Sequence, residues 1–293
     1  MHDRLQPPAR RTPAALSRRS ALVAAAGLLA VVLIAAAYTL AHALPWPGSA
    51  SRAATGADSR AATAGIDAGL DTAINGIIGA NGGYQVGVAL LDTDGGDLHQ
   101  YGVEQPFEAA STAKILTAAA YYSLVEDGLA SLDDPLGDYT SGFQIEAMVQ
   151  DSNNDSWSLL MDAVGLSRLS DYAASLGISY DAEVNTLTTA DMAHLLAELS
   201  EGGLLNREHT QQLLSYMQDT NYEDLIPAAV PDSVTVFHKY GLLNDELHDA
   251  AILSSPEGTY VLVVYTKGAG LSDVPQRTAV IHEITEAVTA ALF

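Results

Sequence analysis

The chain has no cysteine and only three lysines, Lys114, Lys239 and Lys267, in 293 residues. The first absence removes a thiol nucleophile, a cysteine-ligated zinc site, disulfides and a lipidated N-terminal cysteine. It leaves the compartment open, because exported proteins need not use disulfides. Basic residues are scarce as a class: 13 Lys and Arg stand against 36 Asp and Glu, a formal net charge of −23. Five of the 13 (Arg4, Arg10, Arg11, Arg18 and Arg19) lie in the first 20 positions beside one acid, Asp3. From residue 44 onward the balance is 8 basic to 35 acidic, a net −27. Such a body argues against nucleic acid or an anionic membrane surface as a partner, and reads as a solubility or salt-tolerance feature.

Charge is missing altogether from residues 21–41, ALVAAAGLLAVVLIAAAYTLA. As a helix this run measures about 31 Å, enough to cross a bilayer core. The preceding arginines predict a basic cytoplasmic segment over 1–20, with the chain after the span outside. Two other readings stay open. Ala41-His42-Ala43 resembles a signal-peptide cleavage site, and Ser17-Arg18-Arg19-Ser20-Ala21-Leu22 resembles a twin-arginine export signal. An uncleaved anchor over 21–43 is the favoured expectation, and all three readings place the body outside the cytoplasm. Residues 44–63 are rich in Pro, Gly, Ser and Ala and predict a flexible linker before a domain over 64–293.

In that domain Ile66, Leu70, Ile74 and Ile77–Ile78 recur at helical spacing. Tyr84–Leu91 and Leu98–Val103 predict a β-hairpin around Asp94-Gly95-Gly96-Asp97. That acidic run lacks the spaced ligands and distal Glu of a calcium loop and reads as a turn. Helical patterns follow at 112–129, 144–151, 155–164, 167–176, 188–201 and 207–218, broken by Gly165, Gly177 and Gly202-Gly203. Strands return at Val234–Lys239, His248–Leu253 and Thr259–Thr266, and a helix closes the chain at 276–292. The order predicts an α+β fold: an antiparallel sheet flanked by terminal helices, with an all-helical lobe inserted.

Chemistry centres on Ser111 and Lys114, three apart where strands give way to a helix and so on one helical face. A serine hydroxyl needs a base within reach, and a buried lysine of lowered pKa can supply it. Backbone N–H groups at a helix start also suit a developing oxyanion. Taken alone, the pair reads equally as a helix cap and a surface lysine, as Ser152-Asn153-Asn154 reads as a cap. Lys239-Tyr240-Gly241 reads as a charged strand end followed by a turn glycine. His238 and His248 lack any G-x-S-x-G or H-E-x-x-H frame, and strand alternation accounts for them.

Together, Ser111-x-x-Lys114, Ser152-x-Asn154 and Lys239-x-Gly241 occur in the order and contexts of one pattern. The chain resembles the penicillin-recognising serine enzymes, which include class A β-lactamases and D,D-peptidases. Leu132-Asp133-Asp134-Pro135, Thr188-Thr189-x-x-Met192 and Val264-Tyr265-Thr266-Lys267-Gly268 agree with class A sequences. The resemblance implies Ser111 as acylated nucleophile, Lys114 as general base and Ser152 as proton relay to the leaving amine. It implies Lys239 as the attractor of a substrate carboxylate and Asn154 as the partner of the substrate's amide side chain. Gly241 would leave room for a substrate strand, and Tyr240 stands where the family has a small hydroxyl residue, its phenol still able to donate a hydrogen bond to the substrate while narrowing the site. The implied substrates are β-lactams or related peptidoglycan-type amides, processed without metal or cofactor; the alternatives are a D,D-peptidase-like or penicillin-binding protein that deacylates poorly, and a surface-binding module that keeps the fold without turnover. Two departures concern turnover. The segment 178–187 is short for the loop that carries a deacylating glutamate, and Glu183 is its one candidate. The stretch from Ser111 to Ser152 is short as well, so one wall of the cleft is reduced.

Overall fold

The computed structural model describes residues 65–293. The cytoplasmic segment, the anchor or signal segment and all of the linker expected from the sequence lie outside them. Among the described residues no helix is long and apolar enough to cross a membrane.

The first helix, α1, runs Ala68–Ala80, its N-terminus capped by the Asp67 carboxylate, which accepts from Gly69 and Leu70 N–H. Strands β1 (Gln85–Asp92) and β2 (Leu98–Gly102) form the expected hairpin. Its connection is a plain turn, in which Gly96 N–H donates to Asp92 O at 3.1 Å. After the short β3 (Phe107–Glu108) comes a 3₁₀ turn, Ala110–Ala113, which leads into α2 (Lys114–Glu126). A small hairpin, β4 (Pro135–Leu136) and β5 (Tyr139–Thr140), precedes α3 (Ser141–Val149), α4 (Asn154–Val164) and α5 (Leu166–Ser175). Then β6 (Thr186–Leu187) pairs back to β3, ahead of α6 (Thr189–Glu201) and α7 (Arg207–Tyr216). Three long strands, β7 (Thr235–Leu243), β8 (Glu246–Ser255) and β9 (Gly258–Lys267), are followed by the last helix, α8 (Val274–Leu292).

The main sheet is antiparallel throughout, in the order β2-β1-β9-β8-β7. Its period-2 alternation sorts side chains into two cores. From β9, Tyr260, Leu262 and Val264 join α1 and α8, while Val261, Val263 and Tyr265 join α6 and the helical lobe. Because both faces are covered, the central strand reads as a continuous apolar run. Helix α2 is the lobe's axis: nearly every residue from Lys114 to Leu124 is buried, which explains why its sequence shows no amphipathic stripe.

Two boundaries depart from the sequence reading. Ser111 lies in the 3₁₀ turn before the α-helix. Lys239-Tyr240-Gly241 lies inside β7, which continues to Leu243. The strand reverses only at Asn244, whose φ of 51° makes the left-handed turn that Asn tolerates.

Arg277 locks the sheet to α8 while fully buried. Its guanidinium donates to Asp273 Oδ1 (2.8 Å), Asp245 O (2.8 Å) and Gly270 O (3.0 Å). Arg277→Met removes the cation and these three hydrogen bonds, although Asp245 O keeps the Gly268 N–H and Asp273 Oδ2 keeps the Ala269 N–H. A loss of about 3 kcal/mol in unfolding free energy is expected by urea denaturation.

Candidate active site

The site forms where three chain segments meet: the 3₁₀ turn, the start of α4 and the middle of β7. Ala110 carries φ 49°, a left-handed conformation disfavoured for a residue with a Cβ, and it sets the direction of the following Ser111. Several contacts hold this turn. Asn185, itself at φ 56°, donates from Nδ2 to Ala110 O (3.0 Å) and accepts Ala109 N–H on its carbonyl (2.8 Å). Tyr180 in turn fixes the Asn185 side chain through Oδ1 at 3.0 Å. Thr112 Oγ1 donates to Ala109 O (2.7 Å) and lies 2.6 Å from the Tyr265 hydroxyl. On the far side β7 approaches at Gly241. A Cβ there would stand 3.1 Å from Ala110 Cβ and 3.2 Å from both Ala109 O and Ser111 N. Only glycine lets the strand come this close to the serine's backbone N–H.

Lys114, the first residue of α2, is fully buried beside Ser111. Its Nζ donates to Ser152 O (2.6 Å) and Asn154 Oδ1 (2.7 Å) and lies 3.3 Å from Ser152 Oγ. The Trp157 ring adds a face with its centroid 5.0 Å from Nζ. All these partners are neutral and none brings a compensating charge, so burial lowers the lysine pKa to about 8. Asn153 caps α4 by accepting Ser156 N–H at 2.9 Å. That leaves Ser152 (φ 55°) and Asn154, on either side of the cap, free to hold the lysine. The segment that reads as a simple cap thus divides the work: its middle residue caps and its outer two bind the cation.

Lys239 is the second buried cation, with no exposed surface. Burial first, and the charge of Lys114 second, lower its pKa to about 7, against the opposing field of Asp249. Its Nζ lies 4.0 Å from the centroid of the Tyr240 ring and donates to Tyr240 O at 3.3 Å.

The structure therefore brings together Ser111, Lys114, Ser152, Asn154, Lys239, Tyr240 and Gly241. It does not bring Glu183 to them. Glu183 is exposed and, with Asp181, Ser167 and Ser170, lines a surface depression against α5. Its backbone N–H and that of Val184 are taken by Asp181 Oδ1 (2.9 and 3.2 Å) in a local turn. Asn185, two residues on, is the loop residue that touches the Ser111 turn. Asn is a residue type that tolerates its left-handed conformation.

The two strand histidines differ sharply. His248 is buried against Tyr265, takes Thr266 N–H on Nδ1 (3.1 Å) and donates from Nε2 to Glu108 O (2.9 Å). Burial lowers its pKa to about 4, so it is neutral. His238 bridges Asp249 (2.9 Å) and Glu223 (3.1 Å) behind Lys239. Burial opposes its charge, but the two carboxylates outweigh burial and raise its pKa to about 9. Among the described residues no group of three or more His, Asp or Glu is placed to hold a metal ion.

A raised folded pKa means that the His238 contribution to stability is complete below its unfolded value of 6.5 and fades as pH climbs through about 9. Glu223, lowered to about 2 by His238 and Thr220 against the cost of burial, loses its share only in strong acid. The stability gap between wild type and His238→Gln, read by urea melts, is therefore expected to be widest near pH 5–6 and to shrink by pH 9.5.

Comparison with known proteins agrees with this geometry. Residues 69–292 match the family described as the beta-lactamase enzyme family. A β-lactamase of Proteus vulgaris is 26% identical over 246 residues, which cover 70% of this chain and 89% of that protein. A variant of the class A β-lactamase of the last common ancestor of Gram-negative bacteria superposes with a TM-score of 0.70 at 27% identity, over 76% of this chain and 98% of that one. PBP-A superposes with a TM-score of 0.71 at 22% identity, over 76% of this chain and 96% of its own, a likeness of fold. With its α+β architecture and its serine–lysine site, the chain belongs to the β-lactamase family of serine hydrolases.

Proposed function

We propose that the protein is an extracytoplasmic serine hydrolase, acting on β-lactams or related cell-wall amides through an ester on Ser111. The observation that carries this is the fully buried Lys114, bound only by neutral oxygens and one turn from Ser111. With a pKa of about 8, roughly a tenth of it is neutral amine at pH 7, enough for a resident general base. Ser111 Oγ would add to the carbonyl carbon while its proton passes to Lys114 Nζ. The C–N bond then breaks, and the leaving nitrogen collects a proton through Ser152 Oγ, 3.3 Å from the lysine. The N–H of Ser111 and one from β7 just beyond Gly241 would hold the oxyanion, which the close approach of strand to turn supports. Asn154 would meet the substrate's amide side chain. The uncharged 21–43 segment, preceded by arginines, supports a membrane-anchored body, with secretion after cleavage as the alternative.

One observation favours slow deacylation, as in a penicillin-binding protein. Glu183, the loop's only glutamate, faces the outer depression and makes no bond to the serine–lysine cluster. The acyl-enzyme would then outlive its formation.

Intact-mass spectrometry with excess penicillin G tests both parts. A persistent adduct is expected on wild type and on Glu183→Gln alike, and none on Ser111→Ala. Rapid loss of the adduct in wild type and its accumulation in Glu183→Gln would restore Glu183 to a deacylating role. Because Lys114 must be neutral to act, the acylation rate is expected to climb as pH rises through about 8.

A further inference from the structure

Lys239 occupies the position at which a substrate carboxylate is expected to bind, yet no part of it is open to solvent. Its own neighbour lies against it. The Tyr240 ring lies with its centroid 4.0 Å from Nζ, and the Tyr240 carbonyl takes a hydrogen bond from the same atom at 3.3 Å. An aromatic face satisfies an ammonium electrostatically without bringing a negative charge. The ring is also held in place. Tyr222 packs on it at 5.0 Å between centroids with a 44° tilt. Tyr222 in turn sits beside Glu223, which is pinned to Thr220 and to buried His238. Asp249, the carboxylate whose field Lys239 feels, is committed to His238 and to Ile226 N–H. A braced ring therefore lies against the cation, one residue before the glycine that touches the Ser111 turn.

We propose that Tyr240 is the specificity-determining residue of the site: its ring occupies the cationic position that a carboxylate would need, and it selects amides and lactams that carry no carboxylate on the leaving side. This rests on the acyl-serine reading above and names the substrate class for it. The phenol is a cover over the cation and is not a donor to the substrate.

The test is acylation of the full-length chain by penicillin G and by its methyl ester, followed by intact mass. Wild type, Tyr240→Thr and Tyr240→Phe are compared, each checked for a cooperative melt. Wild type is expected to react with the ester at least as fast as with the free acid. Tyr240→Thr is expected to speed the acid about tenfold, the order of a lost cation–π contact, and to leave the ester within about twofold. Tyr240→Phe keeps the ring and is expected to match wild type with both compounds. A wild type that prefers the acid, or a Tyr240→Phe that slows the acid alone, overturns the proposal and assigns the hydroxyl to carboxylate binding. Absence of any Ser111 adduct in all three proteins with both compounds overturns the acyl-serine reading, and this inference falls with it.

Discussion

Everything near the site depends on one uncompensated charge. Lys114 is fully buried, and its ammonium is met by the carbonyl and hydroxyl of Ser152, the amide oxygen of Asn154 and the face of Trp157, with no carboxylate. Neutral oxygens recover part of the hydration energy and leave the rest as pressure to lose a proton. A carboxylate in the same place would hold the ammonium more tightly and keep it protonated. The demand for three such acceptors also draws the α4 start over the α2 start, so the wall of the cleft and the tuning of the lysine are one arrangement.

The second half of the arrangement is the pressing of β7 onto the Ser111 turn. Ala110 is held in a left-handed conformation by Asn185 and backed by Gly241. Strain of this kind, of order 1–3 kcal/mol, persists only where the surroundings over-determine it. Here they do so from two directions, the short loop on one side and the sheet edge on the other.

Much of this was legible from residues. Ser111 and Lys114 could be found by spacing, and the two remaining motifs by order and context. Most helices followed from periodicity, although α2 did not need it, since a helix buried all round has no polar face to mark. What escaped the sequence depends on long-range contacts. Nothing local to Lys239-Tyr240-Gly241 tells whether the strand ends there or runs to Leu243; that is decided by pairing with β8. That Asn153 would cap, leaving Ser152 and Asn154 to the lysine, depends on where α2 lies. Glu183 read as a site acid because it is the only glutamate in its loop, but the Asx turn on Asp181 directs the segment so that Asn185 faces the serine turn. His238 read as a routine strand residue, and only the fold shows that two carboxylates converge on it.

The burial of basic residues also has a consequence at long range. Of the six Lys and Arg between residues 65 and 293, Lys114, Lys239 and Arg277 lie wholly inside. Arg168, Arg207 and Lys267 are left to balance most of 34 carboxylates. The field felt by an approaching molecule is therefore strongly negative out to about a Debye length, roughly 8–10 Å in physiological salt. Diffusing anions are slowed on approach relative to neutral and cationic molecules. Ionic strength thus governs which encounters occur, while the buried cations govern only what happens after contact.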